Sequence, residues 1–261
     1  MYSTWGYYAP IRAMFDCGEG CATSLGNYVY APENMFFSHN HGDHVLGLPS
    51  FVGCRNSARG DKSKPLNVYA PYSDSMNDLV AFIQKRNSRL SYQLNFIEVA
   101  PDFKLNFDNK LSLEAFAVNH GFNSLGYKVI EKRSRLKAGI NPKDARDLIA
   151  KGEIINEDYF ANVFTWTLDS SSYDKKHIEN CAWLVADSTF LKAADRDDPT
   201  HSSVEEVLNW AKDGNVKRVT LAHFSSRYNW NEIPAFVLDA KDKIGFAGVV
   251  DVVLPNKVYE L

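Results

Sequence analysis

Ser38-His39-Asn40-His41-Gly42-Asp43-His44 follows directly on the apolar run Met35-Phe36-Phe37. Three imidazoles and a carboxylate within six residues form a donor set of the kind that zinc and similar divalent ions prefer. Gly42 gives the backbone room to turn, so the four donors can point to one side. A strand ending near Phe37 would deliver this loop to the edge of a sheet, where ligands usually bind. The chain holds seven histidines in 261 residues, so three in one loop reflect placement and not composition.

Four donors on one loop seldom complete a site, and further candidates stand at other strand ends. His120 follows the alternating run 113–118 and precedes Gly121. His223 follows Val219-Thr220-Leu221-Ala222, and Asp169 follows the apolar run that ends at Leu168. Three donors at the same kind of strand-to-loop junction point to a two-metal site, in which ions about 3.5–4 Å apart activate a water and clamp a phosphate.

Working outward, apolar runs bounded by turn residues predict strands over 11–15, 35–37, 66–69, 113–118, 125–130, 163–167, 183–185, 216–221 and 249–254. Between them, Val204, Val207, Leu208 and Ala211 form a helical stripe that opens at Ser202-Ser203 and carries Glu205 and Glu206 early. Residues 76–82 and 142–149 also read as helices, the second with Asn141 as N-cap before Pro142. Strands mixed with helices predict an α/β or α+β layered fold. No repeat or linker interrupts the chain, so residues 1–261 read as a single domain with a charged helical insertion at about 131–162. Its first part, to Lys151, sets seven basic residues against Glu131, Asp144 and Asp147. That is either a solvated helical hairpin or an arm that touches a phosphate backbone.

Composition narrows the function classes. The chain has 29 Lys and Arg against 32 Asp and Glu, a net charge of −3, and 45% hydrophobic residues. That excludes a disordered chain and argues against a generally basic coat for nucleic acid. No run of about 18 apolar residues offers a membrane span. The N-terminus lacks a signal-peptide pattern, which predicts a cytoplasmic protein with no membrane partner. Four cysteines are too few and too scattered for a disulfide framework. Cys17 and Cys21 read as thiols in a reducing cytoplasm, with a metal-ligand spacing as the open alternative.

At this point the residues carry a resemblance. His39-Asn40-His41-Gly42-Asp43-His44 has the form of the metallo-β-lactamase superfamily signature HxHxDH. More narrowly, Phe15-Asp16-Cys17-Gly18-Glu19-Gly20, the run SHNHGDHVLGLP at 38–49, and Leu221-Ala222-His223-Phe224-Ser225-Ser226-Arg227-Tyr228 resemble the motifs of ribonuclease Z. That family makes the 3′ ends of transfer RNAs. The resemblance runs from about Tyr2 to the C-terminus, and it implies an α/β fold, the metallo-β-lactamase αβ/βα four-layer sandwich, with metals at one edge.

Carried over position by position, the resemblance implies that His39, His41 and His120 hold one divalent ion. Asp43, His44 and His223 hold the other, and Asp169 bridges them. The ions are expected to be zinc, with manganese as the other candidate. Asp16 would sit behind the site and orient a ligand. Asp43 is also a candidate base for the attacking water. His201, in Pro199-Thr200-His201-Ser202-Ser203, resembles the group that gives a proton to the leaving oxygen, with Asp187 as its carboxylate partner. Arg227 would lie near phosphate.

There are departures. Ala186-Asp187-Ser188-Thr189 stands where the family has a His-Glu-Ala-Thr loop, Asp169 follows Leu168 instead of Gly, and the long Gly/Pro-rich arm is replaced by 131–162. The chain also begins at Met1-Tyr2-Ser3 where relatives have a first strand, so either the gene start is short or that strand is dispensable. The implied function is a metal-dependent phosphodiesterase, an endonuclease for transfer RNA 3′ ends that works as a homodimer. The alternative is a cyclic nucleotide phosphodiesterase of the signal-degrading kind found in phage and bacteria, with Tyr7, Tyr8, Tyr127 or Tyr228 available to a base. Retention of all seven ligands disfavours a scaffold that has lost catalysis.

Overall fold

The strand runs are apolar at successive residues because each strand is buried on both faces. Ala13 and Phe15 face one core while Met14 faces another, and Phe36 parts from Met35 and Phe37 in the same way. The computed structural model describes residues 3–261 apart from Lys62, Ser88, Phe122 and Asn256. Met1 and Tyr2, the start of the N-terminal stretch compared with a first strand, lie outside the described residues.

Among the described residues the strands form two sheets. The first holds β1 (Gly6–Tyr8), β2 (Ala13–Phe15), β3 (Asn34–Phe36), β4 (Leu66–Ala70) and β5 (Leu94–Glu98) in that spatial order, with β1 antiparallel to β2 and the rest parallel. The second holds β6 (Lys104–Asn106), β7 (Leu111–Ala117), β8 (Leu125–Leu136), β9 (Asn156–Thr167), β10 (Leu184–Asp187), β11 (Arg218–Ala222), β12 (Val249–Leu254) and β13 (Lys257–Glu260), again as consecutive neighbours. Its β9 to β12 are parallel and its two flanks antiparallel.

Helices α1 (Cys21–Leu25), α2 (Gly42–Val45), α3 (Leu48–Ser57) and α4 (Asp74–Arg86) belong to the first sheet's side. After α5 (Ala145–Ala150), α6 (Val204–Asp213) and α7 (Ile233–Ile244) cover the outer face of the second sheet. The result is the expected four-layer sandwich. Its central core joins Phe15, Phe36 and Tyr69 of one sheet to Tyr127, Phe164 and Trp166 of the other. The Tyr127 hydroxyl donates to the Phe37 carbonyl at 2.6 Å, a polar tie between the layers. No helix among the described residues is long and apolar enough to cross a membrane.

The capping box on α6 matches its sequence signal: Ser203 Oγ accepts from the Glu206 N–H, and Glu206 accepts from the Ser203 N–H at 3.0 Å. On α3, the buried Arg55 donates to the carbonyls of Tyr30 and Pro32, both at 2.6 Å, and of Val29 at 3.2 Å.

The insertion at 131–162 is not a helical hairpin. Strands β8 and β9 run on past the sheet as a ribbon, paired from Glu131↔Ala161 to Leu136↔Asn156 beyond a register shift at Val129/Ile130. Only the six-residue α5 is helical, and Asn141 caps a turn by accepting from the Lys143 N–H at 3.0 Å. The physical reason is cross-strand pairing. Lys132 meets Asp158 at 2.7 Å and Arg135 meets Glu157 at 2.8 Å, and no apolar stripe gives the outgoing strand a helical face to bury. The returning strand also changes the charge. With Glu153, Glu157 and Asp158 counted, residues 131–162 hold seven basic against six acidic side chains.

Candidate metal centre

The donor loop begins where β3 ends, and His41 stands at the N-cap of α2, which places Asp43 and His44 in that helix's single turn. His120 follows β7, Asp169 follows β9 and His223 follows β11. Asp16, Asp169 and His223 take left-handed backbone angles, with φ of +57°, +56° and +66°. Non-glycine residues there cost about 1–3 kcal/mol each and cluster at functional sites. The first helices approach the loop after β2 closely. A Cβ on Gly18 would overlap the carbonyl of Asp43 and the nitrogen of Thr4, and one on Gly47 would overlap the carbonyl of Gly18.

The structure brings the seven expected ligands together. Asp169 Oδ2 lies 3.1 Å from His44 Nε2 and 3.7 Å from both His39 Nε2 and His120 Nε2, while Oδ1 lies 3.5 Å from His223 Nε2. Asp43 Oδ2 is 3.3 Å from His223 Nε2 and 3.4 Å from His44 Nε2, and His41 Nδ1 is 3.2 Å from His120 Nε2. The ligand atoms of His39, His41, His120 and Asp169 lie within 4.8 Å of one another, and so do those of Asp43, His44, Asp169 and His223. Two donor nests therefore share one carboxylate.

The donor set fits a pair of cations. His39 Nε2 and Asp169 Oδ1 are buried with no hydrogen-bond partner among the described residues, a state that costs about 1–3 kcal/mol per group unless something compensates it. Four histidines have their other ring nitrogen engaged from behind: His39 by Ser38 Oγ at 2.9 Å, His44 by Asp16 at 3.0 Å, His120 by the Thr200 carbonyl at 3.1 Å, and His223 by Thr189 Oγ1 at 2.9 Å. Such outer partners fix the ring so that its second nitrogen faces the ion.

Electrostatics agree. Burial, helped by the charge of His44, holds His39 far below the usual histidine range. His44 lies well above that range: burial opposes its charge, but the carboxylates of Asp169 and Asp16 outweigh it. Burial likewise opposes the charge of Asp169, yet His44 and His223 hold it well below the ordinary carboxylate value. The two carboxylates thus favour the charged form of His44, and a bound cation would compete with that proton.

Asp16, fully buried, stands behind this cluster. It accepts from the Ser38 N–H at 2.7 Å, His44 Nδ1 at 3.0 Å and Trp166 Nε1 at 3.2 Å. Asp187, also buried, accepts from His201 Nδ1 at 2.7 Å, the Ser170 N–H at 3.1 Å and the Thr189 N–H at 2.8 Å. It falls within reach of a third donor group with Asp169, His201 and His223, but these bonds make it a support for His201. Burial lowers the His201 pKa, and the hydrogen bond and charge of Asp187 more than reverse that, leaving it raised.

The remaining candidates have partners of their own. Arg227 is paired: its guanidinium is held by Asp197 at 2.7 Å and the Asp195 carbonyl at 3.3 Å, above the Phe190 ring. Tyr127 is core, Tyr8 stacks on Phe164 at 4.4 Å between the sheets, and Tyr228 bonds Leu191 and Asp195. Cys17 and Cys21 are both buried with sulfurs 3.1 Å apart, and neither joins a donor group among the described residues. The sequence reading missed Ser38, Trp166 and Thr189. Thr189 Oγ1 lies 2.7 Å from Asp187, 3.1 Å from His201 and 2.9 Å from His223.

No family model matches the chain. Ribonuclease Z of Ligilactobacillus salivarius is 28% identical over 260 residues, spanning 87% of this chain and 81% of the relative. Among solved structures, the metallo-β-lactamase fold protein YhfI from Bacillus subtilis superposes with a TM-score of 0.63 at 17% identity, covering 95% of this chain and 87% of that one. The short form of human tRNase Z gives a TM-score of 0.59 at 22% identity, covering 83% and 82%.

Proposed function

Taking the chain as a member of the metallo-β-lactamase superfamily similar to ribonuclease Z, we propose that it hydrolyses phosphodiesters at a two-metal centre, and that its substrate is the 3′-extended end of a transfer RNA precursor. The observation that carries this reading is the pair of donor nests sharing Asp169. His39, His41 and His120 would hold one ion and Asp43, His44 and His223 the other, with zinc or manganese suited to such nitrogen and oxygen donors. When bound, such ions supply a nucleophile from water at neutral pH and neutralise charge on the phosphoryl oxygens.

The chain's own groups do the rest. Asp43, partly open to solvent, orients the attacking water and accepts its proton. His201, with Nδ1 anchored on Asp187, is the group placed to give a proton to the leaving oxygen. On the ribbon, Lys137, Lys143, Arg146 and Lys151 form no ion pair among the described residues, and they are the cations offered to an RNA backbone. Arg227 joins them only by leaving Asp197. The resemblance also carries the proposal of a homodimer working in the cytoplasm, which light scattering of the purified protein tests.

One observation favours a second substrate. A ribbon with seven basic and six acidic residues adds little bulk attraction for RNA, which suits a small cyclic nucleotide held by the centre itself. The test offers the zinc- or manganese-loaded protein a 3′-extended transfer RNA precursor and, separately, 3′,5′-cyclic nucleotides. Precursor cut at the end of the acceptor stem supports the first reading. Precursor untouched at enzyme excess while cyclic nucleotide disappears replaces it with the second. If neither substrate is consumed by protein carrying two ions, the phosphodiesterase reading falls.

A further inference from the structure

A cavity of about 270 Å³ opens beside the first donor nest, with His39, His41 and His120 on one side and Tyr72, Ser73 and Asp74 on the other. That is below the ~300–1,000 Å³ of sites for drug-sized ligands, so it suits one base and not a folded surface. Tyr72, exposed, lies in the turn between β4 and α4. Its hydroxyl donates to Asp74 Oδ1 at 2.8 Å, and its carbonyl accepts from Asn123 Nδ2 at 3.3 Å. The ring is therefore held in place before any ligand arrives. Asn40, next to His39 in the donor loop, donates to Ser75 Oγ at 2.7 Å and ties this turn to the metal centre.

The chemistry of the wall is specific. Among the described residues no Lys or Arg lines the cavity, and its one carboxylate would repel a phosphate. The wall fits the uncharged part of a substrate whose phosphate sits at the donor nests. It offers a flat aromatic face and, at Asp74 Oδ2, an acceptor that takes no hydrogen bond among the described residues.

We propose that this wall is a nucleobase subsite. Tyr72 stacks the base adjoining the scissile phosphate, and Asp74 accepts from the base's exocyclic amino group, so adenine is preferred to hypoxanthine. The proposal rests on the phosphodiesterase reading for its role in turnover, and it holds for either substrate class.

The test titrates AMP and IMP into zinc-loaded full-length protein by calorimetry. The substrate that the wild type turns over is then assayed with adenine or hypoxanthine at the adjoining position. Base–aromatic stacking is worth about 1–3 kcal/mol, so Tyr72→Ala should weaken AMP binding and raise KM by about 5- to 150-fold. Tyr72→Phe keeps the ring and should restore both. Asp74→Asn should erase the preference for adenine over hypoxanthine. Zinc content should stay at the wild-type level in all three variants. AMP binding by folded, zinc-replete Tyr72→Ala at wild-type strength overturns the proposal, as does a wild type indifferent to the amino group. If no phosphodiester is consumed yet AMP binding depends on Tyr72, the subsite stands and the assigned reaction is what fails.

Discussion

Replacing Asp16 by asparagine tests the organisation of the centre from behind, because the change is nearly isosteric and removes no ligand. Asn keeps one oxygen, which the Ser38 N–H at 2.7 Å would retain. The other oxygen becomes an NH2 group facing two donors, His44 Nδ1 at 3.0 Å and Trp166 Nε1 at 3.2 Å. Trp166 is then left unpaired in the core, at about 1–3 kcal/mol. The charge-assisted bond to His44, worth about 1.5–3 kcal/mol, is lost as well. Together these take about 3–6 kcal/mol from a fold whose total is typically ~5–15.

His44 has one escape. Its Nδ1 can accept from the new NH2 group if the ring proton moves to Nε2, and that proton then points at the second donor nest. Metal affinity at the nest of Asp43, His44 and His223 should therefore drop ~10–100-fold, while the nest of His39, His41 and His120 changes less. Urea unfolding in EDTA measures the first effect, and zinc titration by calorimetry resolves the second as a split between two binding events. A wild-type urea midpoint together with two wild-type zinc affinities would falsify the assignment of Asp16 as the anchor of His44.

Three further outcomes follow from the same geometry. Arg55→Met should lose about 2–5 kcal/mol by leaving the buried carbonyls of Val29 and Pro32 unpaired; an unchanged urea midpoint would contradict this, and turnover per folded molecule should hold. Gly18→Ala should lower zinc uptake, because its Cβ meets the backbone of Asp43, and a variant with full zinc content would show that the loop yields. The third concerns pH. In metal-free protein the raised pKa of His44 favours its proton in the folded state, so that stability is full below about pH 6.5 and lost as pH rises through the folded value. A bound ion needs the proton gone. The Tm gain from zinc over EDTA should therefore grow from about pH 6 to about pH 8, and a constant or shrinking gain refutes the link.

The donor cluster was largely legible because its side chains lie at ends of apolar runs that strands buried on both faces produce. His39 to His44 are adjacent in sequence, and His120, Asp169 and His223 each follow such a run. Their supports were not legible in the same way. Trp166 reaches Asp16 across 150 residues and Thr189 reaches His223 across 34, and no spacing rule encodes such pairs. Helix α3 escaped because its buried side chains include Arg55 beside Leu48, Phe51 and Val52, which hides the apolar stripe. The ribbon was misread because Lys132, Arg133 and Arg135 carry no hint of the acids that face them until the returning strand is in register.

Neither sheet carries a complete set of ligands. His39, His41, Asp43 and His44 follow β3 of the first sheet, while His120, Asp169 and His223 follow strands of the second. A chain in which only one half has folded therefore offers each ion too few donors to be held. A cation held there would tie the two sheets together at that edge. Its binding free energy would then add to the stability of the docked sandwich.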